Sequence, residues 1–282
     1  MKWPQVALLP GIDYAAPAGP RGRARTAQRA AAGPGSMKIS VITVCRNAAA
    51  TLRRTIDSFL AQTHGEKELV IVDGASTDDT LAIVASYADP AIRAQSEPDS
   101  GIYDAMNKGL ARFSGDAFGF LNADDVFSHP GVLAAIDVCL AENDIASGHV
   151  RFLSAPGGKE TRRWTTTPWR PGAFARGWAQ PHPGVYCRRS VYETVGPFDA
   201  SYRIGGDYDW LLRVYEVHHL RGGIVDDVVV DMTLGGASTA GPKALWTNAM
   251  EALRSRRRWL GAGLVDYAFA AKTLGKIGQL RF

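Results

Sequence analysis

The chain has little to tie it together covalently: its three cysteines, Cys45, Cys139 and Cys187, are far apart and odd in number. That pattern excludes a disulfide framework and fits a reduced, cytoplasmic protein. Long apolar runs are also lacking. The longest stretch, residues 259–271, has 13 residues and contains Asp266, short of the roughly 18–20 residues that span a bilayer. Glycine-rich phosphate loops are missing as well. No P-loop is present, and Asn47-Ala48-Ala49 follows the first apolar run where a Gly-x-Gly-x-x-Gly would stand. Kinase, ATPase and dehydrogenase chemistry are disfavoured accordingly. There is no nucleophile elbow, and His218-His219 are adjacent rather than at metal-ligand spacing.

What is present is an ordinary globular composition, 46% hydrophobic and 21% charged, over 282 residues. This length supports a sizeable core. The net charge of +4 is unevenly distributed: residues 1–36 hold 5 basic residues and 1 acid, and residues 243–282 hold 8 and 2. The body between them carries 19 basic and 25 acidic residues, a net of −6. An acidic body is a poor partner for nucleic acid, which selects a basic face on the folded domain. It suits a body that holds a cation and a tail that meets an anionic surface.

Residues 1–36, rich in Ala, Gly, Pro and Arg, show no apolar period and read as a disordered N-terminal extension. Their apolar run at residues 6–9 is too short for a secretory signal. From Met37 strand-like and helix-like patterns alternate. Residues 39–45, 69–72, 92–95 and 117–121 read as strands, and 51–62, 76–87, 102–112 and 130–140 as helices. Such alternation predicts an α/β fold with a mainly parallel sheet and helices on both faces. After Glu142 it breaks into a smaller antiparallel part. Strands are expected at 145–153, 161–166, 184–188 and 223–231, a helix at 207–217, and basic helices at the C-terminus. The expected organisation is a catalytic domain at 37–242, with halves 37–143 and 144–242, and a basic tail at 243–282.

Ligands of parallel sheets bind at the carboxyl ends of strands. The loops there carry Asn47, Asp73, Asp99 and the quartet Asn122-Ala123-Asp124-Asp125. Acids clustered at such ends are costly unless a cation or a ligand's donors use them. Hard divalent cations take carboxylate and phosphate oxygens together, so a sparse carboxylate site implies a phosphate-bearing substrate. For Asp78 or Asp79 a helix-capping role is the plainer reading.

In order along the chain stand Ile39-Ser40-Val41-Ile42-Thr43-Val44, Gln62-Thr63, Val72-Asp73-Gly74-Ala75-Ser76-Thr77-Asp78 and Phe120-Leu121-Asn122-Ala123-Asp124-Asp125. This series closely resembles glycosyltransferase family 2. The segment from Ser96-Glu97-Pro98-Asp99 through Gly101-Ile102-Tyr103-Asp104-Ala105-Met106-Asn107 resembles the subgroup that acts in bacterial exopolysaccharide and O-antigen assembly. The resemblance covers about residues 37–235 and implies the glycosyltransferase A-type fold.

It also implies a donor, a nucleotide-diphospho-sugar. Asp73 would pair with the base. Val44, Arg46 and Asn47 would line the base and ribose pocket, with Asp99 and Asn122 also on the donor side. Asp124 matches the last acid of the family's Asp-x-Asp motif and would ligate a divalent cation, Mn or Mg, on the diphosphate. Asn122 departs from that motif's first acid, and Asp125 is the alternative ligand.

In Gly205-Gly206-Asp207-Tyr208-Asp209-Trp210-Leu211-Leu212-Arg213, Asp207 aligns with the family's catalytic base, and Gly206 replaces a Glu. Asp209 is the second candidate. His182 resembles an acceptor-side histidine, with a structural hydrogen-bonding role as the alternative. The implied reaction is inverting, metal-dependent sugar transfer to a hydroxyl of a glycan or lipid-linked acceptor, in surface polysaccharide synthesis.

The tail mixes Leu245, Met250, Leu253 and Trp259 with Arg254, Arg256, Arg257 and Arg258. It reads as a helix lying on an anionic membrane, on the inner face of the plasma membrane, or as a basic helix packed on the domain. Arg258-Trp259 resembles the Arg-Trp of processive polysaccharide synthases, but Ser255 stands where they have Gln, so single addition is expected. The competing readings are a catalytically inactive nucleotide-sugar-binding assembly protein and, further off, a sugar-nucleotide pyrophosphorylase.

Overall fold

The computed structural model describes residues 36–233 and 241–261. Strand β1 (Ile39–Cys45) is rich in β-branched residues and almost wholly buried, as a strand enclosed on both faces should be. It lies parallel between β2 (Lys67–Asp73) and β4 (Ala117–Phe120), and β3 (Ile92–Ser96) runs parallel beside β2. Helices α1 (Leu52–Leu60), α2 (Thr80–Ala85), α3 (Ile102–Leu110) and α4 (Val132–Glu142) alternate with these strands.

Because successive strand side chains point to opposite faces, β1 and β2 feed two cores. Ile39, Val41, Leu69 and Ile71 pack with Leu52, Ile56 and Phe59 of α1 and with Val132, Leu133 and Ile136 of α4. Ile42, Val70 and Val72 face Tyr103, Met106 and Leu110 of α3 on the other side. The same second core contains Trp210 and Leu211 of α6 (Gly206–Leu212), which continues into a π-helical turn at Arg213–Val217. One sheet therefore holds α3 and α6 on a common face, although about a hundred residues separate them in sequence.

The second half adds β5 (Val126–Phe127), β6 (Ile145–Leu153), β7 (Glu160–Trp164), β8 (Val185–Arg188) and β9 (Gly222–Thr233). The order across the sheet is β3-β2-β1-β4-β8-β6-β9-β5, with β7 on β6. β8 is antiparallel to β4 and β6, and β7 is antiparallel to β6, whereas β9 runs parallel to β6. The antiparallel part thus extends the parallel sheet rather than standing apart from it. Helix α5 (Arg189–Val195) follows β8, and α7 (Pro242–Leu260) closes the described chain.

Several boundaries differ from the sequence-based reading. The helix expected at 76–87 contracts to α2, because the Ser76 amide and hydroxyl turn back to Asp73 instead of capping a helix. β5 and α5 are too short to leave a periodic signature. Of the basic C-terminal helices, α7 is described. The rest of the tail and the N-terminal extension up to residue 35 lie outside the described residues. No helix among the described residues is long and apolar enough to cross a membrane.

Candidate active site

The register of β1, β2 and β3 sets Cys45, Asp73 and Ser96 side by side at the carboxyl edge of the sheet. Asp73 is fully buried. Its Oδ2 accepts hydrogen bonds from the Ser76 amide (2.9 Å) and the Ser96 hydroxyl (2.7 Å), and its Oδ1 accepts from the Ser76 hydroxyl. Burial alone would raise its pKa; the bonds from Ser76 and Ser96 outweigh that and hold it below the ordinary value. Asp73 is therefore a fixed carboxylate that sets the shape of the loop after β2.

That loop is fastened to the one after β1. The amides of Asn47, Ala48 and Ala49 donate to Ser76 Oγ (2.7 Å), Thr80 Oγ1 (2.8 Å) and Asp78 Oδ2 (3.0 Å). The Asn47 side chain accepts from the Thr77 amide at 2.9 Å. Asn47 and Ala75 both adopt positive φ, 53° and 56°, a conformation costing on the order of 1 kcal/mol or more for residues with a Cβ. These crossed bonds hold them there. The amides that would cradle phosphate in a glycine-rich loop are here engaged by side chains. Asp78 ties the two loops with Oδ2 and, with Oδ1, accepts from the Thr80 amide at the start of α2 (3.0 Å), the capping role expected from sequence.

Gly74 lets two donor-side candidates converge. A Cβ at this position would lie 2.3 Å from Asp99 Oδ2 and 3.5 Å from Arg46 Cβ. Arg46 is exposed and Val44 half-buried. Asp99 is half-buried and accepts from the Gly101 amide at 3.0 Å.

The quartet after β4 divides its labour. Asp124 is exposed, whereas Asp125 is wholly buried. Asn122 donates from Nδ2 to Asp125 Oδ2 (2.7 Å), and the Asp125 carbonyl accepts from Thr55 at 2.8 Å. The other carboxyl oxygen of Asp125 has no hydrogen-bond partner. Burial, reinforced by the neighbouring Asp124, pushes the Asp125 carboxyl up to about 8. Asn122 thus supplies a donor where a second acid would face Asp125 with like charge. Among the described residues no three His, Cys, Asp or Glu groups stand close enough to hold a metal by themselves. A lone exposed carboxylate fits a hard cation that arrives with phosphate oxygens.

The residues expected on the acceptor side centre on α6. Asp207, at its first turn, is half-buried, with Oδ1 3.2 Å from the Tyr103 hydroxyl and 2.8 Å from the Tyr208 amide that donates to it. His182 is buried, its ring centroid 5.1 Å from that of Phe120 and 5.9 Å from that of Phe198. Burial lowers the His182 pKa, against the smaller opposing pull of the Asp207 charge.

Asp209 is separate from them. It is fully buried, accepts from the Tyr202 hydroxyl (3.0 Å) and the Trp259 indole (2.9 Å), and pairs with Arg213 at 3.2 Å. A carboxylate so saturated braces the helix. A Cβ on Gly206 would lie 2.7 Å from the Tyr103 ring, so Tyr103 occupies the space in which a Glu at position 206 would begin.

Helix α7 reaches this site through Glu251, which motif reasoning passed over, and through Ser255. The Glu251 carboxylate accepts from the amides of Arg203 (2.9 Å), Ile204 (2.9 Å) and Gly205 (2.7 Å), the turn that leads into α6. Ser255 donates to the Tyr202 hydroxyl at 2.9 Å. Glu251 is the sole acid in an otherwise basic helix, and that singularity is the signal the sequence offered. Tyr103 lies inside the motif at residues 96–109 but is set apart only by its contact with Asp207.

A family model described as Glycosyl transferase family 2 matches residues 40–196. The chain belongs to this family. A PGL/p-HBAD biosynthesis glycosyltransferase of Mycobacterium bovis is 33% identical over 189 residues, covering 62% of this chain and 69% of the relative. An uncharacterized glycosyltransferase of Mycobacterium tuberculosis is 33% identical over 178 residues, covering 62% and 68%. Among solved structures, S. aureus TarS 1-349 in complex with UDP-GlcNAc superposes with a TM-score of 0.61 at 17% identity, covering 86% of this chain and 73% of that one. The mannosyltransferase PcManGT from Pyrobaculum calidifontis, in complex with GDP-Man and Mn2+, gives 0.56 at 18%, covering 91% and 87%. This family 2 glycosyltransferase therefore has the A-type fold that the alternating pattern and the resemblance led us to expect.

Proposed function

We propose that this glycosyltransferase moves a sugar, with inversion, from a nucleotide-diphospho-sugar to a hydroxyl of a glycan or lipid-linked acceptor in surface polysaccharide synthesis at a membrane. The observation that carries the reading is the contrast on α6: Asp207 is half-buried beside Tyr103, while Asp209 is enclosed and saturated. A base must reach the proton it removes, and the half-burial of Asp207 against the enclosure of Asp209 supports Asp207 in that role. In this reading Asp207 takes the proton as the acceptor oxygen attacks the anomeric carbon from the side opposite the diphosphate. Tyr103 holds the carboxylate in orientation, and His182, kept neutral by burial, lines the acceptor side without adding charge.

On the donor side, Arg46, Asn47 and Val44 line the base and ribose pocket that Asp73 shapes, with Asp99 and Asn122 completing its wall. Asp124 would hold the divalent cation, whose chemistry when bound is to neutralise charge developing on the departing diphosphate. UDP-GlcNAc and GDP-Man in complexes of the structural neighbours support a nucleotide-sugar donor.

The test is a thermal-shift panel of UDP-, GDP- and dTDP-sugars with and without Mn2+, because a ligand that binds the native state raises the melting temperature. One nucleotide class should stabilise the protein in the presence of Mn2+, and Asp124→Ala should abolish the metal-dependent part. Turnover of that donor distinguishes an enzyme from an inactive nucleotide-sugar-binding protein. Stabilisation without any Mn2+-dependent hydrolysis or transfer would favour the latter.

A further inference from the structure

Helix α7 has two opposite faces, both engaged in different ways. At 3.6 residues per turn, positions 251, 252, 255, 256 and 259 share one side. There Glu251 holds the turn before α6, Ser255 reaches Tyr202, Arg256 donates to the Tyr208 hydroxyl at 3.0 Å, and Trp259 donates to Asp209. Ala252, Ser255 and Arg256 are buried in this contact. Of the tail expected from its composition to be either surface-seeking or packed, the described part, α7, is packed along this side.

The other side carries Lys243, Trp246, Met250, Arg254 and Arg257, which recur at spacings of three and four residues and so form a single stripe. All five are exposed. Trp246 is 62% and Met250 38% exposed, large apolar groups set between cations. Asp199 offsets part of the positive charge through Arg254 and Arg258. The Arg254 guanidinium also donates to Ser201 (2.9 Å) and lies over the Tyr202 ring, so Lys243 and Arg257 are the cations left to the surface. No ion pair is found for Lys243 or Arg257 among the described residues. Arg203, exposed on the neighbouring turn, lines a cavity of about 270 Å³ together with Lys243. An exposed indole and thioether framed by basic residues match the two layers of an anionic membrane surface. The rings enter the headgroup–acyl boundary while lysine and arginine meet the phosphates.

We infer that the Lys243–Trp246–Met250–Arg254–Arg257 stripe docks this glycosyltransferase on an anionic bilayer, and that the opposite face of α7 thereby holds the catalytic helix a fixed distance above it. That distance is on the order of one helix diameter, about 10–12 Å. The inference deepens the proposed function, because it selects an acceptor borne by the membrane with its reacting hydroxyl close to the headgroups. It rests on that reading for the role of α6 but not for the docking itself.

The test uses the full chain and vesicles of phosphatidylcholine alone or with one third phosphatidylglycerol. The protein should sediment with the anionic vesicles, bind the neutral ones at least tenfold more weakly, and lose binding as salt rises. Trp246→Glu combined with Met250→Glu should abolish sedimentation while Mn2+-dependent nucleotide-sugar stabilisation stays unchanged. These residues lie on the side of α7 away from α6, so the donor measurement reports independently that the variant is folded. Brominated lipid should quench the fluorescence of the intact protein, and Trp246→Phe should remove most of that quenching. Undiminished sedimentation of the double variant would overturn the stripe as the docking face, as would equal binding to both kinds of vesicle. Loss of sedimentation by the double variant, together with no sugar transfer by the intact protein, would uphold the docking and refute only the enzymatic reading.

Discussion

The Tyr103 hydroxyl stands 3.2 Å from Asp207 Oδ1, across 104 residues of sequence. The same hydroxyl is hydrogen-bonded to the Ile204 carbonyl. One phenol thus ties α3, which follows the donor-side loops, to the turn and carboxylate from which acceptor activation is proposed to proceed. Its ring also closes over Gly206, so the loss of the family's Glu at that position and the placement of Tyr103 are one packing solution.

Two neighbouring substitutions should fail in different ways. Asp207→Asn should leave the melting temperature and donor binding nearly unchanged while transfer falls by roughly 10²–10⁴-fold, the usual worth of a general base. Asp209→Asn should instead destabilise the protein by about 3 kcal/mol, because it leaves the Arg213 guanidinium buried without its counter-charge. For a protein of this size that is a fall of roughly 6–12 °C. Transfer rates at saturating donor, set beside calorimetric melting, check both. Normal transfer by the Asp207 variant would remove it from the mechanism.

Glu251→Ala should act on catalysis from the far helix. Three amides lose their acceptor, a stability loss of roughly 1–3 kcal/mol. The turn that presents Asp207 is freed with them. Transfer should therefore fall by about tenfold or more, since small misplacements of a positioned group are costly, while the donor KM stays constant. Glu251→Gln keeps one acceptor oxygen and should recover part of the rate. A parallel rise in donor KM would show instead that α7 supports the whole domain indiscriminately.

Asp125 should make the metal-free protein less stable as pH rises. Its carboxyl is pushed up to about 8, from an ordinary value of 3.8, by burial and by Asp124. The folded state therefore binds a proton that the unfolded state releases between about pH 4 and 8, and this group's contribution to stability falls across that window. Asp125→Asn preserves an acceptor for the Asn122 amide and removes the titration. It should raise the melting temperature at pH 8 and flatten the slope from pH 5 to 8. A steeper slope in the variant would contradict the assignment.

Glu68 should have the opposite sign. Burial would raise its pKa, but hydrogen bonds from Ser40, Ser114 and Lys38 prevail and hold it down at about 2. Its contribution is complete above the unfolded value near 4.5 and is lost as pH falls towards 2. For a side chain only 4% exposed, the contribution is roughly 3 kcal/mol at neutral pH. Glu68→Gln should lower the melting temperature at pH 7 and show a shallower decline below pH 4.5, measured by acid titration of circular dichroism.

The sequence by itself determined the parallel half of the sheet and the loops at its carboxyl edge. Runs such as Ile39–Cys45 are local signals: β-branched residues enclosed on both faces, alternating with helical periods, admit few other architectures. The motifs likewise located Asp73, Asp124 and Asp207, because each lies beside a strand end or helix start that the pattern marks.

Only the tertiary structure decided what those carboxylates can do. Asp207 and Asp209 stand two residues apart with the same chemistry, and the sequence offered nothing that ranked them beyond the family pattern. The structure separates them by bringing Tyr103 from α3 to one and Arg213, Tyr202 and Trp259 to the other. Asp124 and Asp125 are adjacent, yet one faces solvent and the other is enclosed against α1. Burial and hydrogen-bond saturation are sums over neighbours distant in the chain. Side-chain type and spacing fix where a group enters the fold, whereas the packing of remote elements decides whether it is free to act.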